Sequence, residues 1–105
     1  MEIRLLNKKK LAEFIASDEF RDMPVTPISE TRALSHIQNP RSEENDVLLV
    51  LIYNENVMVG YLGIIPDRIR VKDQWEKVGW MSCIWVSDTA RGQGIAKRLV
   101  QEAFK

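Results

Sequence analysis

The chain has 105 residues, 45% hydrophobic and 29% charged, and its 15 basic and 15 acidic residues cancel. These values suit one globular domain and exclude the global positive field that favours nucleic acid or an anionic membrane. The single cysteine excludes an intrachain disulfide, and no apolar run is long enough for a signal peptide or a membrane span. We therefore expect a cytoplasmic protein with no nucleic-acid or membrane partner.

The N-terminal part predicts a strand followed by two helices. Ile3, Leu5 and Leu6 predict a short opening strand, and Asn7 is a suitable cap for a first helix. Thr26 and Pro27 predict the start of the second helix, with threonine as N-cap and proline at the first helical position. The buried stripe of that second helix is predicted to consist of Ala33, Leu34 and Ile37.

The second half of the sequence predicts strands. Residues 47–53 are a continuous apolar run, and residues 57–65 follow after a turn, which predicts a hairpin. Residues 66–77 are a charged excursion with room for short extra pairing. Residues 78–86 predict a third strand, buried on both faces at the centre of the sheet. The predicted fold class is α/β (α+β), with a mixed, mainly antiparallel sheet flanked by helices.

A glycine-rich loop precedes the last predicted helix, residues 94–105. Backbone N–H groups at a helix start have no internal partners and lie at the positive end of the helix dipole. Gly92 and Gly94 allow a bulky anion to approach these groups, and Arg91 adds a fixed charge. On spacing alone, a pyrophosphate cradle and a turn that needs left-handed glycines are equally good interpretations. A Walker loop and a dinucleotide fingerprint are excluded, because Gly-Lys-Ser/Thr is absent and Lys97 stands where a glycine is required.

The segment Arg91-Gly92-Gln93-Gly94-Ile95-Ala96, after a strand ending in Val86, resembles motif A of the GNAT superfamily of acyl-CoA N-acyltransferases. That motif reads Arg/Gln-x-x-Gly-x-Gly/Ala, and Arg91, Gly94 and Ala96 occupy its fixed positions. The order of the predicted elements also fits the family. The resemblance implies a single, partial GNAT-like domain over residues 1–105, truncated after the motif A helix.

The resemblance also implies a binding site for acetyl-CoA as the acyl-donor substrate. The backbone of Ile84 and Val86 would contact the pantetheine arm and the thioester carbonyl. The residues expected around the pyrophosphate are Arg91, Gly92, Gln93, Gly94, Ile95 and Ala96. Asp88 departs from the family pattern, which often has proline at this position.

Acyl transfer to an amine needs a base for the amine and a polarised carbonyl. Glu76 is the carboxylate closest to the predicted third strand, and we expect it either to be the base or to be a solvated loop charge. Cys83 lacks a histidine nearby in the sequence and is expected to be a small buried residue, while His36 is expected on a helix surface or in helix packing. Trp80 and Trp85 should point to opposite faces of the strand. No metal site is predicted.

Two hypotheses follow from these expectations. The chain is the coenzyme-binding half of an N-acetyltransferase that acts on a primary amine of a small molecule or a peptide. Alternatively, it is a non-catalytic GNAT-like module for regulation or dimerisation, which binds acyl-CoA weakly or not at all. The family's general acid, usually a tyrosine, lies on a helix after the next strand, beyond these 105 residues. An unpaired sheet edge would also favour a homodimer.

Overall fold

A computed structural model describes residues 1–104 as an antiparallel sheet with helices on both faces. The strand order in the sheet is β1-β2-β3-β4, and all three pairings are antiparallel. The predicted fold class is confirmed. The elements in chain order are β1 (Glu2–Leu6), α1 (Lys8–Ile15), α2 (Asp18–Asp22), α3 (Glu30–Ile37), β2 (Leu49–Asn54), β3 (Val57–Val71), β4 (Gln74–Val86), a short 3-10 helix (Asp88–Ala90) and α4 (Ile95–Ala103).

One face of the sheet is covered by α1, α2 and α3. The Asn7 side chain caps α1 as predicted, because its Oδ1 accepts a hydrogen bond from the Lys10 amide at 2.9 Å. The apolar side of α1 then faces the odd-numbered side chains of β2. The buried cluster on this face includes Leu11, Phe14, Ala33, Leu49, Leu51 and Tyr53.

Helix α3, which is the second helix predicted from the sequence, begins later than predicted. Ser29, not Thr26, is its N-cap, and the Ser29 hydroxyl accepts a hydrogen bond from the Arg32 amide at 3.2 Å. Pro27 is fully buried and Ile28 is also in the core, so this segment packs as an extended entry to the helix. Helix α2 was not predicted at all, because five residues are too few to show a periodic pattern.

The buried stripe of α3 also differs from the prediction at one position. Ala33 is fully buried, but Leu34 is 44% exposed. His36 is buried in its place, which confirms a helix-packing role. The helix therefore presents a polar ring to the core where the sequence pattern indicated leucine.

The other face of the sheet is covered by α4. Ile95 and Leu99 are buried there, and Ala103 is half-buried, so the predicted packing side of this helix is confirmed. The helix lies so close to β3 that a Cβ added to Gly60 would be 2.7 Å from Ile95 Cγ2. The predicted last helical position, Lys105, lies outside the described residues. Glycine at position 60 thus fixes the distance between α4 and the sheet.

Strand β4 is an edge strand, and the prediction of a central, doubly buried strand is wrong for this chain. The order β1-β2-β3-β4 leaves one side of β4 without a partner within residues 1–104. No residue of 78–86 is buried. The apolar run has the composition of a buried strand, but among the described residues no strand pairs with its second edge.

Residues 66–77 form regular pairing rather than a loop. Strands β3 and β4 continue past Gly63, where the pairing of β2 with β3 ends, and they project as a two-stranded ribbon. The turn of this ribbon, Lys72 and Asp73, has φ values of 49° and 66°. Because both faces of a two-stranded ribbon meet solvent, charged residues occur on either side and hide the strand period.

A β-bulge in β4 changes which side chains share a face. Gly63 pairs with Cys83 and Ile64 pairs with Met81, so Ser82 is the extra residue. A Cβ on Gly63 would be 2.5 Å from the Ser82 hydroxyl and 3.1 Å from Cys83 Sγ. Glycine at position 63 therefore provides the room for the bulge.

Because of this bulge, Trp80 and Trp85 lie on the same face of the sheet, which contradicts the predicted alternation. Trp85 stacks on Tyr61 with a centroid distance of 5.5 Å, on the face covered by α1–α3. Trp80 lies further along the ribbon and donates a hydrogen bond from Nε1 to Asp67 at 3.1 Å. Trp85 thus belongs to the body of the domain and Trp80 to the projecting ribbon.

Candidate functional site

Two glycines before α4 adopt a backbone conformation that other residues rarely take. Gly92 has a φ of 86° and Gly94 a φ of 75°. An added Cβ at either position would meet nothing within 4 Å. Their glycine identity is therefore required by the backbone turn, and the space in front of the helix stays open.

The start of α4 presents unpaired backbone donors to this open space. The first helical hydrogen bond runs from the Arg98 amide to the Gly94 carbonyl at 3.0 Å, so the three preceding amides have no partner in the helix. No side chain caps them among the described residues, and the first turn contains no acidic residue. They point toward a depression of about 380 Å³ lined by Val86, Ala90, Arg91, Gly92, Gly94, Ile95, Ala96 and Lys97.

Not every residue predicted for the loop contributes in the same way. The Gln93 amide donates to the Ala90 carbonyl at 3.3 Å, and Gln93 does not line the depression. Arg91 lines it and forms an ion pair with Asp88 at 3.2 Å, with both side chains largely exposed. Exposed ion pairs of this kind contribute about 0–1 kcal/mol, so an anion could displace Asp88 from Arg91 at small cost.

The open edge of β4 leads directly to this depression. The Ser87 amide donates to the Val59 carbonyl at 2.8 Å, which makes that pair a hydrogen-bonded one. Since hydrogen-bonded and non-bonded pairs alternate in an antiparallel ladder, the backbone groups of Ile84 and Val86 point away from β3. These are the two residues predicted to contact an extended arm of the coenzyme.

The sequence model of the Acetyltransferase (GNAT) family matches residues 12–105. The chain belongs to this family. The fold agrees with an aminoglycoside antibiotic 6'-N-acetyltransferase from Acinetobacter haemolyticus, at 21% identity and a TM-score of 0.56, covering 98% of this chain and 68% of that one. A ribosomal-protein-alanine N-acetyltransferase from Brucella melitensis biovar Abortus 2308 matches at 19% identity and a TM-score of 0.53, covering 96% and 67%.

A third structure, the aminoglycoside N-acetyltransferase AAC(6')-Iy solved in complex with CoA, matches at 17% identity and a TM-score of 0.56. The alignment covers 97% of this chain and 66% of that protein. A search of curated proteins found no match. The GNAT chain described here thus spans about two thirds of the length of these acetyltransferases.

Glu76, the predicted base, lies far from the motif A loop of this GNAT domain. It pairs with Ile69 near the exposed end of the ribbon. Eight residues of extended strand separate it from Ile84, which corresponds to about 26 Å. A general base must be within hydrogen-bond reach of the amine, so the structure does not support Glu76 as the base for a thioester held at Ile84.

Cys83 and His36 lie in different elements of the fold, Cys83 in β4 and His36 in α3. Cys83 is half-buried beside the Ser82 hydroxyl, at 3.8 Å. His36 is buried in α3, and burial, assisted by the charge of Arg32, lowers its pKa. Its Nδ1 has no hydrogen-bond partner among the described residues.

Residues 1–104 contain no group of three or more His, Cys, Asp or Glu side chains positioned to hold a metal ion. Nor does any helix among them have the length and apolar character needed to cross a membrane.

A polar cluster beside α2 could not be predicted from the sequence. The Tyr53 hydroxyl donates to Glu19 at 2.8 Å, and Arg4 Nη1 contacts both Glu19 oxygens at 3.1 Å while its guanidinium lies 4.2 Å over the Tyr53 ring. Burial and the hydrogen bond to Glu19 raise the pKa of Tyr53, which keeps its phenol protonated. The only sequence signal is Ser17, whose hydroxyl accepts a hydrogen bond from the Phe20 amide and caps the helix that carries Glu19.

Proposed function

We propose that this chain is the coenzyme-binding part of an acetyl-CoA-dependent N-acetyltransferase acting on a primary amine of a small molecule or peptide. One observation carries the proposal. Unpaired amides at the start of α4 and the backbone of Val86 border the same depression, and the outward-facing backbone groups of Ile84 lie two residues away on the same strand edge. We further propose that residues 1–105 form a single, partial domain and that the protein works in the cytoplasm.

The pyrophosphate of the coenzyme would lie in the depression at the start of α4. Amides of Ile95 and Ala96, together with the helix dipole, would donate to its oxygens, and Arg91 would add a charge-assisted contact. The glycines at 92 and 94 would line this site without side chains. Gln93 would shape the turn rather than touch the phosphates.

The pantetheine arm would run along β4 and bring the thioester to the outward-facing amide of Ile84. That amide would polarise the carbonyl, and the lone pair of the neutral amine would attack the carbonyl carbon. A C–N bond forms and the C–S bond breaks, so coenzyme A leaves as the thiolate. The proton lost by the amine nitrogen ends on the sulfur, which yields the amide and free coenzyme A.

Calorimetric titration of the chain with acetyl-CoA tests this proposal. S-acetyl-pantetheine is the control, because it keeps the thioester and the arm but lacks the pyrophosphate together with the 3'-phosphoadenosine attached to it. We expect acetyl-CoA to bind with one site and the control to bind at least tenfold more weakly. Equal affinities, or no binding of acetyl-CoA to the folded chain, would contradict a phosphate cradle at α4.

A non-catalytic module that dimerises is a second candidate, and the open edge of β4 favours it. Trp80, Met81 and Ile84 on that strand are 52%, 56% and 47% exposed. Unpaired strands with exposed apolar side chains recruit other strands. Analytical ultracentrifugation is the test: a homodimer that the substitution Met81→Lys dissociates would support this candidate, and a strict monomer at high concentration would contradict it.

A further inference from the structure

A cavity of about 930 Å³ lies between α3, the loop that follows α3 and the beginning of the projecting ribbon. Side chains of α3 form one wall, and residues 39–41 and 65–67 form the other. Its volume is within the range of about 300–1,000 Å³ that is usual for small-molecule sites. The depression at the start of α4 shares none of these lining residues. A molecule in this cavity would therefore occupy a site separate from that of the coenzyme.

The α3 wall of the cavity is exposed, and among the described residues it carries no acidic or basic side chain. Glu30 and Arg32, the charged residues of α3, lie outside the lining. Exposed faces of surface helices usually carry charged residues, so this face is unusual. Its four exposed members are three or four residues apart and share one side of the helix: Thr31, Leu34, Ser35 and Gln38.

His36 adds a buried polar group to the same wall. Its side chain lines the cavity although the residue is only 8% exposed, and its Nδ1 has no hydrogen-bond partner among the described residues. Burial lowers the pKa of His36, so the ring is neutral at neutral pH, with one donor and one acceptor nitrogen. Buried polar atoms normally have a partner. A ligand group that both donates and accepts would suit this imidazole.

The opposite wall is held in place by the loop that follows α3. Asn39 Nδ2 donates to the Pro66 carbonyl at 3.0 Å, and Arg41 Nη1 pairs with Asp67 at 2.7 Å. Asp67 also accepts a hydrogen bond from Trp80 Nε1 at 3.1 Å. Arg41 and Asp67 are the charged residues of the lining, and each neutralises the other. The cavity is therefore pre-formed and offers a charged ligand no unpaired opposite charge among the described residues.

We propose that this cavity binds an uncharged small molecule that combines an apolar ring with a carboxamide or hydroxyl group. The ring packs against Leu34 and Ile65, which are 44% and 37% exposed, and the polar group hydrogen-bonds to His36. Carboxamides and hydroxyls both donate and accept, as the neutral imidazole does. A charged ligand would lose its water without gaining an ion pair.

Three probes of nearly equal size and shape test the charge preference: benzamide, benzoate and benzamidinium. Each is titrated at neutral pH into the ¹⁵N-labelled full chain, and amide chemical shifts are followed. We expect benzamide to bind at least tenfold more tightly than the two charged probes, with its largest shifts at residues 31–41 and 65–67. Equal binding of the three probes, or shifts of benzamide confined to other residues, overturns the proposal.

Variants with matched chemistry test the lining. Gln38→Glu introduces a carboxylate with almost no change of shape, so it should strengthen benzamidinium binding at least fivefold. Gln101→Glu makes the same change at an exposed position of α4 outside the lining and should leave the affinity unchanged. His36→Phe keeps a ring but removes both nitrogens, and it should weaken benzamide binding at least tenfold. Wild-type affinities in both Gln38→Glu and His36→Phe overturn the proposal.

Titration of benzamide in the presence of saturating acetyl-CoA tests whether the two sites are separate. Because they share no lining residue, we expect the benzamide affinity to stay within about twofold. Displacement of benzamide by acetyl-CoA overturns the separate site. Failure of acetyl-CoA to bind would refute the proposed function alone, since the cavity beside α3 does not depend on it.

Discussion

Replacement of Gly94 by valine should separate the coenzyme site from the fold. Gly94 has φ 75° and ψ 19°, and an added Cβ meets nothing within 4 Å, so the cost to the fold is conformational only. A left-handed conformation costs about 1–2 kcal/mol for an ordinary residue and up to about 3 kcal/mol for a strained one. The branched side chain would, however, occupy the depression in which the pyrophosphate is proposed to lie. We expect affinity for coenzyme A to fall at least a hundredfold, about 2.8 kcal/mol.

Calorimetric titration with coenzyme A and urea unfolding, on the same samples, check this prediction. Ile28→Val is the matched control, since Ile28 is buried in the opposite core and its truncation should cost about 0.5–1.5 kcal/mol. The control should lose stability and keep its affinity. If Gly94→Val binds coenzyme A as tightly as the unmodified chain, the glycines are turn residues only and the proposed cradle is refuted.

Three other predictions concern the loop charge, the α4 contact and the buried histidine. Arg91→Ala should weaken coenzyme binding by no more than about fivefold, because the Arg91 side chain is exposed, and Asp88→Asn should strengthen coenzyme binding by freeing Arg91. Titrations at two salt concentrations should show a smaller effect of salt on the affinity of Arg91→Ala than on that of the unmodified chain. Gly60→Ala should lower the free energy of unfolding by about 1–3 kcal/mol in urea, since its Cβ would be 2.7 Å from Ile95 Cγ2. Because the folded state lowers the pKa of His36, the free energy of unfolding should be highest above the ordinary histidine pKa of about 6.5 and should decrease as the pH falls below it. Between pH 7.5 and 5.5, His36→Gln should lose less of its free energy of unfolding than the unmodified chain. The first prediction is contradicted if salt affects Arg91→Ala as much as the unmodified chain, and the second if Gly60→Ala keeps its free energy of unfolding. The third is contradicted if His36→Gln loses as much stability at pH 5.5 as the unmodified chain.

The features predicted correctly depend on local signals. The helical period of residues 95–103 and the glycines before it predicted both α4 and its buried side. The Asn7 cap was predicted because a capping side chain acts on an amide three residues away. Such interactions are encoded within one turn of chain, so the sequence displays them directly.

The features predicted wrongly depend on contacts between distant segments. The position of β4 at the edge follows from the order of strand pairing, which the apolar run of residues 78–86 does not reveal. The bulge at Ser82 depends on the absence of a side chain at Gly63 in the neighbouring strand. The polar cluster of Arg4, Glu19 and Tyr53 joins three segments that are far apart in the sequence, and only the tertiary structure shows that they meet.

Amide chemical-shift mapping of the ¹⁵N-labelled chain during titration with acetyl-CoA tests the central claim most directly. The claim is that the start of α4 and the open edge of β4 hold one coenzyme molecule. We expect the largest shifts at the amides of Ile84, Val86 and residues 94–97, and small shifts at residues 69–76 at the end of the ribbon. No shifts at saturating acetyl-CoA, or shifts confined to residues outside α4 and β4, would contradict the coenzyme site.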